Sequence, residues 1–440
     1  MAVVPSVFWI GTEESFIIPK LIVSSVIAVA CALALVAGLD RSRPQPTFID
    51  ICALLFAGVV FVSYLASVDR DQSLWGEEYQ RQGLYSGALY LVFYAFARTA
   101  VVDRVRLRVL ANGVSFGGIP VALYAVAQRA GLDPLWDEIP GGRVFSTIGQ
   151  TNSLGAYLAL VLPISLGLAI VGGRRTIGWI VVGIQGAALV LTESRGGYLG
   201  MVIGLSVFAV LTVRLQRADP RRVLGIIVVA AVVLGVGATT TPGLSDSSRR
   251  AWSRALSADE WTTGSVRNHL DLWEVAEAVV ADHLLLGTGP DTFPLVFGDY
   301  RDDVLPADSA ARLRIYRVES PHNIVLAHAA GSGLPAAALF LLIILGPVML
   351  ATGSLGPRRE GQQRGGPVDV GVVAGICGGF VASLFITADF STTWLMWILA
   401  GALVAIAAND DRAERYRTIA SISGGIATSS ADAGPHSTSV

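Results

Sequence analysis

Eleven stretches of about 20 mostly apolar residues punctuate the 440-residue chain, near 16–38, 47–68, 83–101, 108–128, 151–172, 176–193, 196–213, 222–240, 323–352, 368–388 and 391–408. A helix that crosses the hydrocarbon of a membrane needs a run of that length. The pattern therefore predicts an all-α, polytopic integral membrane protein with about eleven spans. Length alone would suit about three soluble domains, but composition opposes that reading. Hydrophobic residues make up 53% and charged residues 15% of the chain, whereas soluble domains carry about 25% charged residues. The mean hydropathy of +0.59 agrees. The first apolar run follows Glu13 and Glu14 rather than a basic start, so it is expected to remain in the mature protein and not to be a cleaved signal.

Positively charged short connections stay in the cytoplasm. Alternate connections and the tail carry eighteen arginines on one side, among them Arg41, Arg104, Arg175, Arg214, Arg358 and Arg412. The short connections on the other side carry five, Arg70, Arg81, Arg129, Arg143 and Arg195. This asymmetry places the N-terminus outside, the C-terminus inside and the long segment 241–322 on the outer face. The chain divides into an N-terminal membrane bundle of about eight spans (1–240), an extracytoplasmic loop (241–322), a C-terminal bundle of about three spans (323–408) and a disordered cytoplasmic tail (409–440). Within the outer loop, Leu272, Trp273, Ala276, Val279 and Val280 recur at helical spacing opposite Asp271, Glu274 and Glu277. That pattern predicts an amphipathic helix over 268–283, lying on the membrane surface or over the bundle, with Ser265 as its N-cap.

Several function classes drop out. A net charge of −2 excludes a generally basic nucleic-acid binder. The three cysteines, Cys31, Cys52 and Cys377, lie inside apolar runs without CxxC spacing, which argues against disulfides or a zinc site. Ion-coupled carriers place ionisable groups at mid-membrane, whereas Asp50, Glu193 and Asp389 fall at span ends. A proton- or sodium-coupled transporter is therefore the weaker reading, and the nearest non-enzyme rival is a transporter of small anions. The single lysine, Lys20, carries no mechanism by itself.

Three separated features meet on the outer side. Thr192–Gly197 makes a tight turn between spans six and seven, Arg267 begins the outer helix, and Ser320–Asn323 leads into span nine. Guanidinium forks match phosphate oxygens, and a first helical turn adds free N–H groups, so the set suits a diphosphate. Plainer roles exist for each residue: Arg195 as a headgroup anchor, Arg267 paired with Asp271 at i+4, His322 as a solvated residue at a helix start, Asn152 as a helix cap. Arg312, Arg314 and Arg317 read either as a solvated face balancing Asp302, Asp303 and Asp308 or as a source of one phosphate contact.

The ordered motifs resemble the O-antigen ligase and O-antigen polymerase family with its Wzy-C-type domain. Arg143–Asn152 is similar to that family's Arg-x-x-Gly-Thr-x-Gly-Asn-Pro-Asn stretch, with Gln150-Thr151 standing where the family has Asn-Pro. Thr192–Gly197 is similar to its Ser-Arg-Gly turn, and Gly287–Phe293, Pro321-His322-Asn323 and Gly331–Leu334 follow in the family's order. Family members commonly have twelve spans with both termini inside. The resemblance implies an inverting, metal-independent glycosyltransferase, needing no cofactor. It would move a glycan from a polyprenyl diphosphate (undecaprenyl type) carrier to a hydroxyl-bearing glycan, lipid or protein acceptor at the outer face of the cytoplasmic membrane. It assigns Arg195 and Arg267 to the diphosphate and makes His322 the general base, acting near its unperturbed pKa of about 6.5. Arg143, Asn152, Arg314 and Arg317 are secondary candidates. A polymerase of the same family is the alternative. The ligase is favoured because acidic side chains outnumber basic ones by 13 to 8 across 241–322, a surface unsuited to a second diphosphate.

Overall fold

The computed structural model describes residues 2–12, 14–38, 45–136, 142–171, 175–216, 264–354, 365–387 and 389–431. These residues form fourteen α-helices and no strand. They are α1 (Ile17–Val36), α2 (Phe48–Leu65), α3 (Arg70–Trp75), α4 (Leu84–Ala100), α5 (Arg104–Arg129), α6 (Thr151–Val171), α7 (Arg175–Thr192), α8 (Arg195–Gln216), α9 (Ser265–Asp282), α10 (Phe293–Val304), α11 (Ala307–Arg314), α12 (Ile324–Ser354), α13 (Pro367–Ser383) and α14 (Phe390–Ala431).

Seven of them, α1, α2, α5, α6, α8, α12 and α14, are long and apolar enough to cross a membrane. Three other expected spans coincide with the shorter helices α4, α7 and α13. The expected span 222–240 lies outside the described residues, as do 217–263 in general. Helix α14 continues past position 409, where the sequence suggested a disordered tail.

The polar residues at the helix starts explain where the helices begin. Thr47 and Asp50 form a reciprocal capping box on α2, Asp103 caps α5, and the Asn323 carboxamide accepts from the amides of Val325 and Leu326 at the start of α12. Each such cap contributes about 1 kcal/mol. Helices α6 and α14 occupy the centre of the bundle, with 83% and 94% of their apolar windows buried. Trp394 and Trp397 fill the core from α14. On α1, α2 and α5, by contrast, Val26, Leu33, Leu54, Val109 and Phe116 point outward and exposed. Apolar surface of that extent needs lipid rather than water, and this is a multi-pass membrane protein.

The two ends of the bundle differ in chemistry. At the lower end, Arg98 meets Asp50 at 3.3 Å, and Arg104 bridges Asp369 at 3.1 Å and Asp410 at 2.7 Å. The upper end carries α9, α10 and α11. The buried face of α9, with Leu272, Val275, Ala276 and Val279, packs with Phe293, Phe297, Ala329 and Ala330 in a second core. The amphipathic helix thus lies over the bundle. Its N-cap is Gly264 rather than the expected Ser265, which is the first helical residue, and Arg267 still falls in the first turn.

Backbone pairing stitches this upper layer to the bundle. Helix α12 breaks at Gly333, whose φ is 84°. The amides of Thr288 and Gly289 donate to the carbonyls of Ala330 and Gly331, Leu334 donates to Leu284, and Val68 donates to Thr288. A side chain at Gly287 or Gly333 would collide with the facing backbone. The glycines of the 287–293 and 331–334 motifs are therefore required by close backbone approach.

Candidate active site at the upper end of the bundle

The short connection between α13 and α14 is the hub on which the separated motifs converge. The Nδ1 of His322 lies 2.8 Å from the hydroxyl of Thr387. The Nε2 of His269 lies 3.0 Å from the carbonyl oxygen of Phe385, and the Phe385 ring packs on Trp273 of α9. Gly196, next to Arg195, faces Phe385 and Ile386 so closely that a methyl group there would press on both. One six-residue connection, 384–389, thus touches the start of α8, the first half of α9 and the approach to α12.

His322 is held from several sides. Its backbone is left-handed, with φ of 53°, and its amide donates to the Ser320 hydroxyl at 3.0 Å. The Ser320 hydroxyl lies 3.4 Å from that of Thr387. The His269 ring stands with its centroid 5.2 Å from that of His322. Burial, and then the neighbouring His269, lower the His322 pKa to about 4. This corrects the expectation of an unperturbed imidazole near 6.5. The ring is neutral throughout the physiological range, because a charged imidazolium would be poorly solvated there. If its Nδ1–H donates to Thr387, the lone pair of Nε2 is left to receive a proton.

Arg195 is the first residue of α8. The turn before it is built by local polar contacts: the Thr192 hydroxyl donates to the Leu189 carbonyl at 2.7 Å and accepts from the Ser194 amide at 3.1 Å. The Ser194 hydroxyl accepts from the amide of Gly197 at 3.2 Å, capping α8. Glu193 is buried at φ of 51°. Gly197 packs directly against Gly155 of α6, so the glycine pair serves the crossing of two helices.

Arg143 and Asn152 support this turn. The Arg143 guanidinium donates to the Thr192 carbonyl at 3.0 Å, to the Asn152 carboxamide oxygen at 2.9 Å and to the Glu193 carbonyl at 3.4 Å. Arg267 pairs with Asp271 at 2.8 Å, the i+4 arrangement weighed in the sequence. Asp271 is fully buried and also holds Arg312 at 2.5 Å. One carboxylate between two guanidiniums leaves a net positive charge beside Arg267. Arg314 pairs with Asp302 at 2.7 Å. Arg317 reaches Glu77 at 2.8 Å and Glu78 at 3.1 Å.

Backbone strain marks the same region. Among the described residues, the non-glycine positions with positive φ are Arg81, Ser146, Glu193, Asp291 and His322, and each lies in an upper-end connection. Such conformations cost about 1–3 kcal/mol each and persist where the surroundings impose them, commonly at functional sites. Among the described residues, no three or more His, Cys, Asp or Glu side chains are grouped to hold a metal ion.

Residues 180–341 match the family model Wzy_C, described as O-antigen ligase. Over this segment the chain is similar to the O-antigen ligase family. No curated protein matches the chain. The matched segment contains Arg195, Arg267, His269 and His322, whereas Arg143 in the α5–α6 connection, Asn152 on α6 and Thr387 in the α13–α14 connection lie outside it.

Sequence reasoning passed over His269, Thr387 and the role of Asp389. Asp389 is buried, and burial raises its carboxyl pKa to about 6 against the opposing hydrogen bond from Ser153 and the charge of Lys20. Lys20 is wholly buried, and its ammonium donates to the carbonyls of Phe16 and Thr147 at 2.9 and 2.6 Å. The visible signal was a Thr-x-Asp interruption between two apolar runs.

Proposed function

We propose that the protein is an O-antigen ligase-type glycosyltransferase. It would take a glycan from a polyprenyl diphosphate and give it to a hydroxyl acceptor at the outer face of the cytoplasmic membrane. The observation that carries this reading is the meeting of His322, His269 and the α8 start on Phe385, Ile386 and Thr387 of the α13–α14 connection.

In the proposed step, the acceptor oxygen attacks the anomeric carbon as the carbon–oxygen bond to the diphosphate breaks. The acceptor proton passes to Nε2 of His322, and the diphosphate leaves with the bonding electrons. Arg195 and Arg267 receive the growing negative charge, a form of preorganised electrostatic stabilisation. The Asp271 carboxylate holds Arg267 by an ion pair, and Arg143 braces the turn that presents Arg195. Attack opposite the leaving group inverts the anomeric centre.

The direct experiment incubates the purified protein with a polyprenyl diphosphate glycan and an acceptor extract, and follows glycan release from the carrier. Transfer to a chemically distinct acceptor supports the ligase. Joining of two carrier-linked glycans assigns the polymerase of the same family. No transfer of either kind rejects the reading.

A further inference from the structure

An open groove of about 610 Å³ lies at the upper end, between the 69–81 segment and the α10–α11 layer. That volume falls within the range of small-molecule sites, about 300–1,000 Å³. The reaction centre leaves this groove unused: neither His322 nor Arg195, Arg267 or Thr387 lines it.

Its wall is polar but carries no net charge, since four acidic and four basic side chains face it. Several are already fixed against each other. Arg317 holds Glu77 and Glu78 and lies over the Tyr79 ring at 4.5 Å. A diphosphate would find no excess of positive charge there. A hydroxyl-rich ligand would find carboxylate acceptors beside guanidinium donors, the alternation that sugar hydroxyls require. Trp75 and Tyr316 line the same groove, 44% and 56% exposed. Large aromatic faces left in water are available to stack on the apolar faces of sugar rings.

The groove is also prebuilt. Gly76 and Gly83 pack back to back and close the loop between them. The Asp291 carboxylate pins that loop by accepting from the amides of Glu77 and Gln82 at 2.7 and 3.0 Å. Arg81, at φ of 52°, lines the groove with its Nε buried and without a hydrogen-bond partner. The Arg81 charge also acts on the buried Asp291 carboxylate, so the strained loop is held in place from its inner side while its outer side faces the groove. The opposite side of the same loop leads to the reaction centre, because the Gln80 carboxamide donates to the Glu319 carbonyl three residues before His322.

We infer that this groove binds a hydroxyl-rich sugar chain without net charge, belonging either to the acceptor or to the glycan of the donor. The inference rests on the glycosyltransferase reading for its biological sense, but binding can be measured without transfer. The probe is the oligosaccharide released by mild acid from the carrier lipids of the producing cells, added to the full-length protein in lipid nanodiscs and followed by saturation-transfer NMR. Saturable binding is expected for the wild type and for His322→Ala. Trp75→Ala and Arg81→Gly, the latter keeping the left-handed backbone accessible, should each weaken it by about tenfold. Inorganic pyrophosphate should not displace the sugar.

Steady-state transfer separates the two sources of the chain. A raised KM for the acceptor with unchanged kcat in Trp75→Ala places the acceptor glycan in the groove, and a raised KM for the donor places the donor glycan there. Wild-type affinity in both variants, or displacement by pyrophosphate, overturns the inference. A wild-type protein that binds the sugar but transfers nothing would sink the glycosyltransferase reading and leave the groove standing.

Discussion

The Thr387 hydroxyl lies 2.8 Å from Nδ1 of His322 across 65 positions of chain, and this contact joins the α13–α14 connection to the proposed base. His322→Ala should lower kcat by about 10² to 10⁴, the usual worth of a general base, while leaving donor-lipid binding intact. Thr387→Val should lower kcat less, by about tenfold, as loss of an orienting partner does, and Thr387→Ser should restore it. Equal turnover in Thr387→Val and wild type would remove Thr387 from the mechanism.

The pH profile separates His322 from its acidic neighbours. A base must be unprotonated to act, so activity falls as pH drops through its pKa. With the His322 pKa lowered to about 4, kcat/KM should stay level from about pH 8 to pH 5 and fall below that. Burial, and then Glu77, raise the Glu319 pKa to about 7. An acid limb centred there would transfer the role of base to Glu319.

The shared carboxylate of Asp271 sets a second test. Arg267→Lys should fare nearly as badly as Arg267→Ala, because a lysine keeps the charge and loses the fork. Arg312→Ala should reduce transfer more than Arg314→Ala, since Arg312 is bound to Asp271 and Arg314 to the surface residue Asp302. EDTA should leave turnover unchanged. Loss of activity with EDTA and its return with Mg²⁺ would defeat the two-arginine account.

Orientation is open to labelling. Ile315 and Val105 are both exposed, at 79% and 72%, on opposite ends of the bundle. An impermeant thiol reagent applied to whole cells should modify Ile315→Cys and spare Val105→Cys until the membrane is opened. The reverse pattern would put the site in the cytoplasm.

Much of this architecture could be read from the chain because membrane helices announce themselves. Apolar runs such as 151–172 and 323–352 became α6 and α12 almost residue for residue, since hydrocarbon thickness fixes their length. Arg195 and His322 stood out as polar residues at span ends and Arg267 as the start of the outer helix, and the roles given to them come from the family resemblance. Thr387 and His269 did not stand out, because a threonine in a short turn and a histidine on a polar helix face are ordinary until the tertiary fold places partners against them. The same holds for the pKa of His322, which depends on burial and on a second histidine 53 positions away. Arg317 was misplaced for a related reason: its acidic partners, Glu77 and Glu78, come from a segment more than 200 residues earlier.

The backbone seam between 284–289 and the break in α12 has a mechanical consequence. Hydrogen bonds from Thr288 and Gly289 to Ala330 and Gly331, and from Leu334 to Leu284, rivet the roof of the site to a membrane helix. The roof cannot swing like a flap without dragging the top of α12 along. On the proposed function, a carrier-linked glycan would enter and leave through a standing doorway, and turnover should not depend on a hinge. Slow deuterium uptake at the Thr288 and Gly289 amides, matching that of the central helices, is the expected sign of this rigidity, and rapid uptake would reveal a movable roof.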